Sequence, residues 1–265
     1  MVRFSTLAFT AALVAGGVSA AASGAEAATL VQVASFNQVG GGKTFAWDGS
    51  GANAGRLISN SSLAVNPTAS AYAGATAQWI DVLFNLNDAG LYGLTAQLLF
   101  DASAPSGGAS QLTAGAPIRQ SDLNGSFQFK YTGLTPITAY GNTIGTGGIL
   151  LSGTFTHGWL SVGGTSGGLA DSFALTGGTV TLASDVIPAN RLFDGDLALA
   201  FTGLNQVAAI TGSGSTRQLR DFRASVGGVI GAAAVPEPAT WGLMIGGFFG
   251  TGSVLRRRRR ALPVA

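Results

Sequence analysis

Apolar and polar side chains alternate with a period of two along much of the middle of this 265-residue chain. Ile80, Val82, Phe84 and Leu86 alternate with Asp81 and Asn85, and beyond Asn87-Asp88-Ala89-Gly90 the pattern resumes at Tyr92, Leu94, Ala96, Leu98 and Phe100. Successive side chains of a strand point to opposite faces, so these two segments predict a β-hairpin with one apolar face. Phe127, Phe129 and Tyr131, set among Gln128, Lys130 and Thr132, predict another strand with three aromatics on one side. Shorter runs predict strands at 30–36, 44–47, 149–155, 172–175, 179–186, 196–202 and 219–226. Asp48-Gly49, Asn124-Gly125, Gly177-Gly178 and Asp194-Gly195 supply turn chemistry between or within them. The stretches 102–120 and 134–148, which carry Pro105, Pro117 and Pro136, are expected to be long surface loops. No internal repeat of fixed period is present, which disfavours a solenoid or propeller. The expected fold class is therefore all-β, a two-sheet β-sandwich or jelly roll.

Both ends break the alternation. Met1 to Arg3 is a short basic stretch, Phe4 to Val18 is apolar, and Ala25-Glu26-Ala27 provides a small-residue cleavage box. This order predicts a signal peptide over residues 1–27, removed during export by signal peptidase after passage through the Sec machinery, with cleavage after Ala20 or Ala22 as the runner-up. At the other end Val235-Pro236-Glu237-Pro238 precedes an uncharged, mostly apolar run of seventeen residues, 239–255, closed by Arg256, Arg257, Arg258, Arg259 and Arg260. Two prolines fix φ and withhold backbone donors, so the first part is expected to be extended and open to an enzyme cleft. As a helix the apolar run reaches roughly 26 Å, slightly short of a bilayer core, and the arginine stems make up the difference by reaching back to the headgroups. A single C-terminal transmembrane helix in the inner membrane follows, with the arginines held cytoplasmic as a membrane stop and Pro-Glu-Pro on the outer side. The expected organisation is a signal peptide (1–27), a β-sandwich ectodomain (28–234), a sorting signal (235–260) and a short tail (261–265).

The carboxyl-terminal residues carry a resemblance. Pro236-Glu237-Pro238-Ala239-Thr240-Trp241, followed by Gly247-Phe248 and the arginine cluster, resembles the PEP-CTERM sorting domain in its P-E-P-x-x-W-A variety, although Gly242 stands where that variety usually has alanine. The resemblance covers about thirty residues and implies recognition by an exosortase, a membrane transpeptidase-like enzyme. Pro236, Glu237, Pro238 and Trp241 would form the sorting and cleavage signal. Cleavage near the prolines would release the ectodomain or re-attach it at the surface of a Gram-negative bacterium that makes an exopolysaccharide matrix. A plain single-span anchor is the competing reading of the same tail.

Charge and composition narrow the function of the body. The formal charge of the whole chain is +2, but residues 28–235 hold eight Lys or Arg against ten Asp and no Glu, a net of −2. The basic balance therefore belongs to the tail and gives no support for nucleic-acid binding. Arg217, Arg220 and Arg223 are expected to be solvated strand or loop charges, because Phe222, Ala224 and Val226 alternate around them. Cysteine is absent, which removes disulfides, thiol nucleophiles and thiolate metal sites. Gly164-Thr165-Ser166-Gly167-Gly168 matches a nucleophile-elbow pattern, but the single histidine, His157, lies upstream and reads as a packed or rim residue of its strand. Asp194-Gly195-Asp196 reads as a turn rather than a calcium loop, because the further oxygen ligands and terminal glutamate are missing.

No catalytic residue, metal ligand or cofactor site is assigned, and the chain is read as a non-enzyme. The expected function is that of a structural or adhesive matrix protein in a biofilm, with exopolysaccharide as a further partner. A secreted polysaccharide hydrolase using paired aspartates is the alternative. Trp47, Trp79, Trp159, Tyr72 and Tyr140 are candidate stacking platforms for sugar rings.

Overall fold

The computed structural model describes residues 30–49, 55–64, 76–105, 107–111, 118–162, 172–205 and 208–233. The expected signal peptide, the Gly164–Gly168 segment, Tyr72 and everything from Pro236 through the arginine cluster lie outside the described residues. Among the described residues no helix is long and apolar enough to cross a membrane.

Eight strand positions run up and down in chain order and close on themselves, every neighbouring pair antiparallel. The ring is β1 (Leu30–Gln38), β4 (Ile80–Leu86), β5 (Leu91–Ser103), β7 (Arg119–Tyr131), β10 (Ile149–Val162), β11 and β12 together (Ser172–Thr176 and Thr179–Ala183), β13 (Phe193–Thr202) and β16 (Phe222–Ala233). β16 returns to β1 through pairs from Leu30↔Ala233 to Asn37↔Gly227. β11 and β12 fill one position end to end, since both pair with β10 and β13. A short hairpin of β2 (Phe45–Asp48) and β3 (Arg56–Ser59) extends the wall between β16 and β5 beyond the reach of β1 and β4.

The all-β expectation holds, but the two-sheet sandwich or jelly roll is corrected to a closed barrel. A sandwich needs sheet edges, and here the first and last strands pair with each other. The predicted hairpin is β4–β5, turned at Asn87–Gly90 with Gly90 at φ +68. The expected loop at 134–148 contains a hairpin instead, β8 (Ile137–Ala139) with β9 (Asn142–Ile144), whose Ala139 and Ile144 are buried. The expected loop at 102–120 is shorter than drawn, because β5 continues to Ser103 and β6 (Ala109–Ser110) pairs with the start of β7.

A barrel of eight strands is just wide enough for side chains to fill its interior. Here phenylalanines fill it. Phe129 lies 4.8 Å from both Phe36 and Phe84 between ring centroids, while Phe45 lies 5.4 Å from both Phe100 and Phe201. Space for these rings comes from two inward-facing glycines. A Cβ on Gly228 would stand 2.6 Å from Leu199 Cδ2 and 2.7 Å from Phe36 Cε1, and one on Gly153 would stand 2.7 Å from Phe127 Cζ.

Three loops close the end where β4 turns into β5. Arg191 Nη1 donates to Asp88 at 3.1 Å, Tyr140 Oη donates to the same carboxylate, and the Arg191 guanidinium lies 4.8 Å from the Tyr140 ring centroid. At the opposite end β14 (Ile210–Thr211) and β15 (Gln218–Leu219) form a hairpin tied down by Trp47 Nε1, which donates to the Leu219 carbonyl at 2.8 Å. Arg223 corrects the expectation of a solvated charge. It is only 2 % exposed, and Asn205 bonds to both its backbone N–H and its carbonyl.

Replacing Phe129 with Ala removes a ring packed against Phe36, Phe84 and Phe127 and is expected to destabilise the barrel by about 3–5 kcal/mol. Gln128→Ala, on the outer face of the same strand, should stay within about 0.5 kcal/mol of the parent. Equilibrium urea denaturation measures both, and similar losses in the two variants would contradict the inside-outside assignment of β7.

Candidate functional site

Asp48 and six further aspartates among the described residues have partners within the protein. Asp101 receives a two-pronged bond from Arg56, Nε to Oδ1 at 2.9 Å and Nη2 to Oδ2 at 2.6 Å. This fork holds the Arg56 pKa above its ordinary value, the hydrogen bond to Asp101 outweighing the opposing effect of burial. Asp88 joins Tyr140 and Arg191, Asp81 accepts from Gln97 Nε2 at 3.1 Å, and Asp122 stands 3.4 Å from His157 Nδ1. Asp185 accepts the Ile149 N–H at 2.8 Å and Asp221 the Gly49 N–H at 2.6 Å, so each ties a strand end to a loop.

Asp194-Gly195-Asp196 is a bulge inside β13 rather than the expected turn, with Asp194 at φ +43 and a register shift between Phe193 and Asp196. No group of three or more His, Cys, Asp or Glu capable of holding a metal occurs among the described residues. His157 sits where β10 bulges against β7, at φ +55, and its side chain is 78 % exposed. The bulge turns it off the inward face that Leu151 and Phe155 occupy, so it is a rim residue rather than a packed one.

The aromatic candidates separate cleanly. Trp47 is fully buried, Tyr140 belongs to the end closure and Trp159 is 39 % exposed on the outer wall. Trp79, half-buried just before β4, has Lys130 Nζ 4.2 Å from its ring centroid.

Beside Trp79 the outer wall carries a groove of about 490 Å³. Its floor follows from strand register. Leu99, Gln128, Ser152 and Ala183 are cross-strand neighbours on β5, β7, β10 and β12, and Asp101, Ser126, Thr154 and Thr181 form the next row two residues along. At the usual spacing between strands each row crosses about 14 Å of wall. On the β5 side, residues 76–79 run over the outside of β3, where Ala77 packs on Ala46 and Ile58, and Ala77 lines the groove. Among the described residues Ser126, Gln128, Thr154 and Thr181 direct no side-chain polar atom to another protein group, while Ser152 Oγ donates to the Ala183 carbonyl.

A second outer groove, of about 660 Å³ over β13, β16 and β1, differs in this respect. Ser35, Gln38 and Ser225 there are engaged within the protein, with Asn85 and Asn87, with Gly42 and Val226, and with Gly42 respectively. In the second groove Asn37 and Thr202 keep unengaged side-chain polar groups among the described residues, against Ser126, Gln128, Thr154 and Thr181 in the first, where the four stand in adjoining rows. No single sequence motif marks it, because its residues come from four strands, although the alternation around Gln128 and Lys130 already places that side of β7 outward.

No protein-family model matches the chain, and no curated protein or solved structure matches it.

The end closure generates a pH dependence. Burial, and then the hydrogen bond and charge of Asp88, push the Tyr140 pKa well above its ordinary value near 10, against the opposing charge of Arg191. A folded-state pKa raised above the unfolded one gives stability that is complete below the unfolded value and is lost as pH rises through and beyond it. The melting-temperature advantage of the parent over Tyr140→Phe should be constant from pH 7 to about 9 and shrink above about pH 10. An advantage that grows with pH in that window would refute the assignment.

Proposed function

We propose that the chain is an exported surface or extracellular-matrix protein, matured by an exosortase and structural or adhesive within the exopolysaccharide matrix of a Gram-negative bacterium. In this reading Pro236, Glu237, Pro238 and Trp241 are the recognition and cleavage signal, and Arg256 to Arg260 hold the tail in the inner membrane until it is cut. The observation that carries the reading is the pairing of Leu30 with Ala233. The segments bearing the two targeting signals join the barrel at one end, and a cut near Pro236 to Pro238 falls after the last ring strand and leaves the whole barrel on the released side.

The chemistry of the body supports a display role over catalysis. A glycoside hydrolase needs one carboxyl to donate a proton and another, across the scissile bond, to act as base or nucleophile. Six of the ten aspartates are instead bonded to Arg56, to Arg191 and Tyr140, to Gln97, to His157 or to backbone amides, where they tie loops and neighbouring strands, and Asp194 and Asp196 share one bulge of β13. A phenylalanine-filled interior serves the same end, because it makes the barrel a rigid, cysteine-free carrier whose outer wall is the surface available for contact.

Intact mass spectrometry of the protein recovered from its native producer, with and without exosortase activity, tests the proposal. The expected result is a carboxyl terminus near Pro236 to Pro238 only when the exosortase is active. The same full-length terminus in both samples would overturn it.

A further inference from the structure

We propose that the groove across β5, β7, β10 and β12 binds a neutral, hydroxyl-rich glycan strand, which deepens the matrix reading above by naming a site and a ligand class. Its lining selects that chemistry step by step. Ser126, Thr154 and Thr181 offer hydroxyls and Gln128 an amide, each able both to donate and to accept, none engaged with another protein group among the described residues. Such groups match a ligand that presents many hydroxyls. Asp101 adds a stronger acceptor, and the two-pronged bond from Arg56 fixes its orientation and cancels its charge.

The same details disfavour other ligands. An anionic strand needs an uncompensated cation on the floor; the adjoining Arg56 is held by Asp101, and Lys130, one pleat off the floor, is seated over the Trp79 ring. An extended peptide adds to a sheet through an open edge, whereas along the groove β7 and β10 are paired on both sides and β5 is paired with β7 and, from Asp101, with β3; among the described residues only β12, which meets β13 at Val180 alone, leaves a short edge there. A lipid chain needs an unbroken apolar floor, and here the apolar lining of Leu99, Ala77, Ala183, Phe127 and Leu182 is interrupted by Ser126, Gln128, Thr154 and Thr181. Lys130, one pleat along β7 from Gln128, places its Nζ over the half-buried Trp79 indole, so the wall next to the Leu99–Gln128 row carries an aromatic side chain outside the groove lining itself.

Affinity electrophoresis of the full chain tests the site, in gels containing dextran or hydroxyethylcellulose as neutral probes and polygalacturonate as the charged comparison. At least one neutral glucan should retard the parent protein relative to a glycan-free gel. Thr154→Arg, which puts a long side chain across the exposed floor, should weaken that retardation about tenfold or more, a loss of roughly 1.4 kcal/mol of binding. Gln128→Ala should weaken it less, and Thr202→Arg in the second groove should leave it unchanged.

Three results would overturn the proposal: no retardation by either neutral glucan, retardation by polygalacturonate alone, or undiminished retardation in both Thr154→Arg and Gln128→Ala. Binding is read on the chain whatever becomes of its tail, so failure here leaves exosortase processing standing, and failure of processing leaves this site standing.

Discussion

The seam between β1 and β16 is the contact on which the rest depends. An up-and-down arrangement of strands leaves two edges, each a row of unpaired N–H and C=O groups that invites association with another chain. Pairing Leu30–Asn37 with Gly227–Ala233 consumes both edges at once. The partners are nearly the whole described chain apart, so the ordering entropy of everything between them must be met before this ladder forms. Closure therefore comes at the end of a long series of local hairpins, and a topology of this kind belongs among the slow folders. Once formed, the ring lets the barrel do without disulfides, because opening it means breaking one complete antiparallel ladder together with the packing behind it.

That packing explains the choice of residues inside. A ring of fixed strand number has a fixed bore, and phenylalanine side chains fill it where two glycines give way, Gly228 beneath Phe36 and Leu199, and Gly153 beneath Phe127. The ends need separate closures, because a barrel has no sheet to lie across its mouth. One is the β8–β9 hairpin locked by Asp88, Tyr140 and Arg191, and the other is β14–β15 held by Trp47. With the bore filled and both mouths covered by side chains, specific contact with other molecules falls to the wall.

Strand alternation was legible wherever large apolar residues marked it. Ile80 to Leu86, Leu94 to Phe100 and Phe127 to Tyr131 read correctly because a half-buried strand must alternate, and the turn at Asn87–Gly90 announced their reversal, whereas Tyr92, expected on the same apolar face, is exposed beside the register shift near Leu86. β3, Arg-Leu-Ile-Ser, escaped notice because four residues carry too little periodicity. The last part of β16 escaped because Gly227, Gly228 and Gly231 replace the side chains that would have shown which face was inside. Closure itself was illegible, since a meander of strands is compatible with a sandwich or a barrel, and the deciding pairs lie about two hundred positions apart. Arg223 looked solvated because its neighbours Phe222 and Ala224 accounted for the inner face, whereas Asn205 and the adjoining β2 cover the outer face too. The groove was illegible for a related reason: Gln128, Thr154 and Thr181 acquire a common purpose only when three strand registers are known.

Core and groove are nevertheless two faces of one constraint. Along β7, Phe127 and Phe129 point inward and Ser126 and Gln128 outward; along β10 and β12, Phe155 and Leu182 point inward and Thr154 and Thr181 outward. A slip of one residue in any of these strands would turn its aromatic or aliphatic residues to water and its hydroxyls into the bore, a change the buried rings do not tolerate. Packing of the interior thus sets the register, and the register brings together on the outer wall polar groups that no local segment contains. The floor of the groove is carried by barrel strands whose register the core packing fixes, with Ala77 adjoining it on the β5 side. It also sits on the wall rather than at either mouth, so a ligand strand lying across β5 to β12 would meet a floor set by strand register and not by the loops that close the barrel ends.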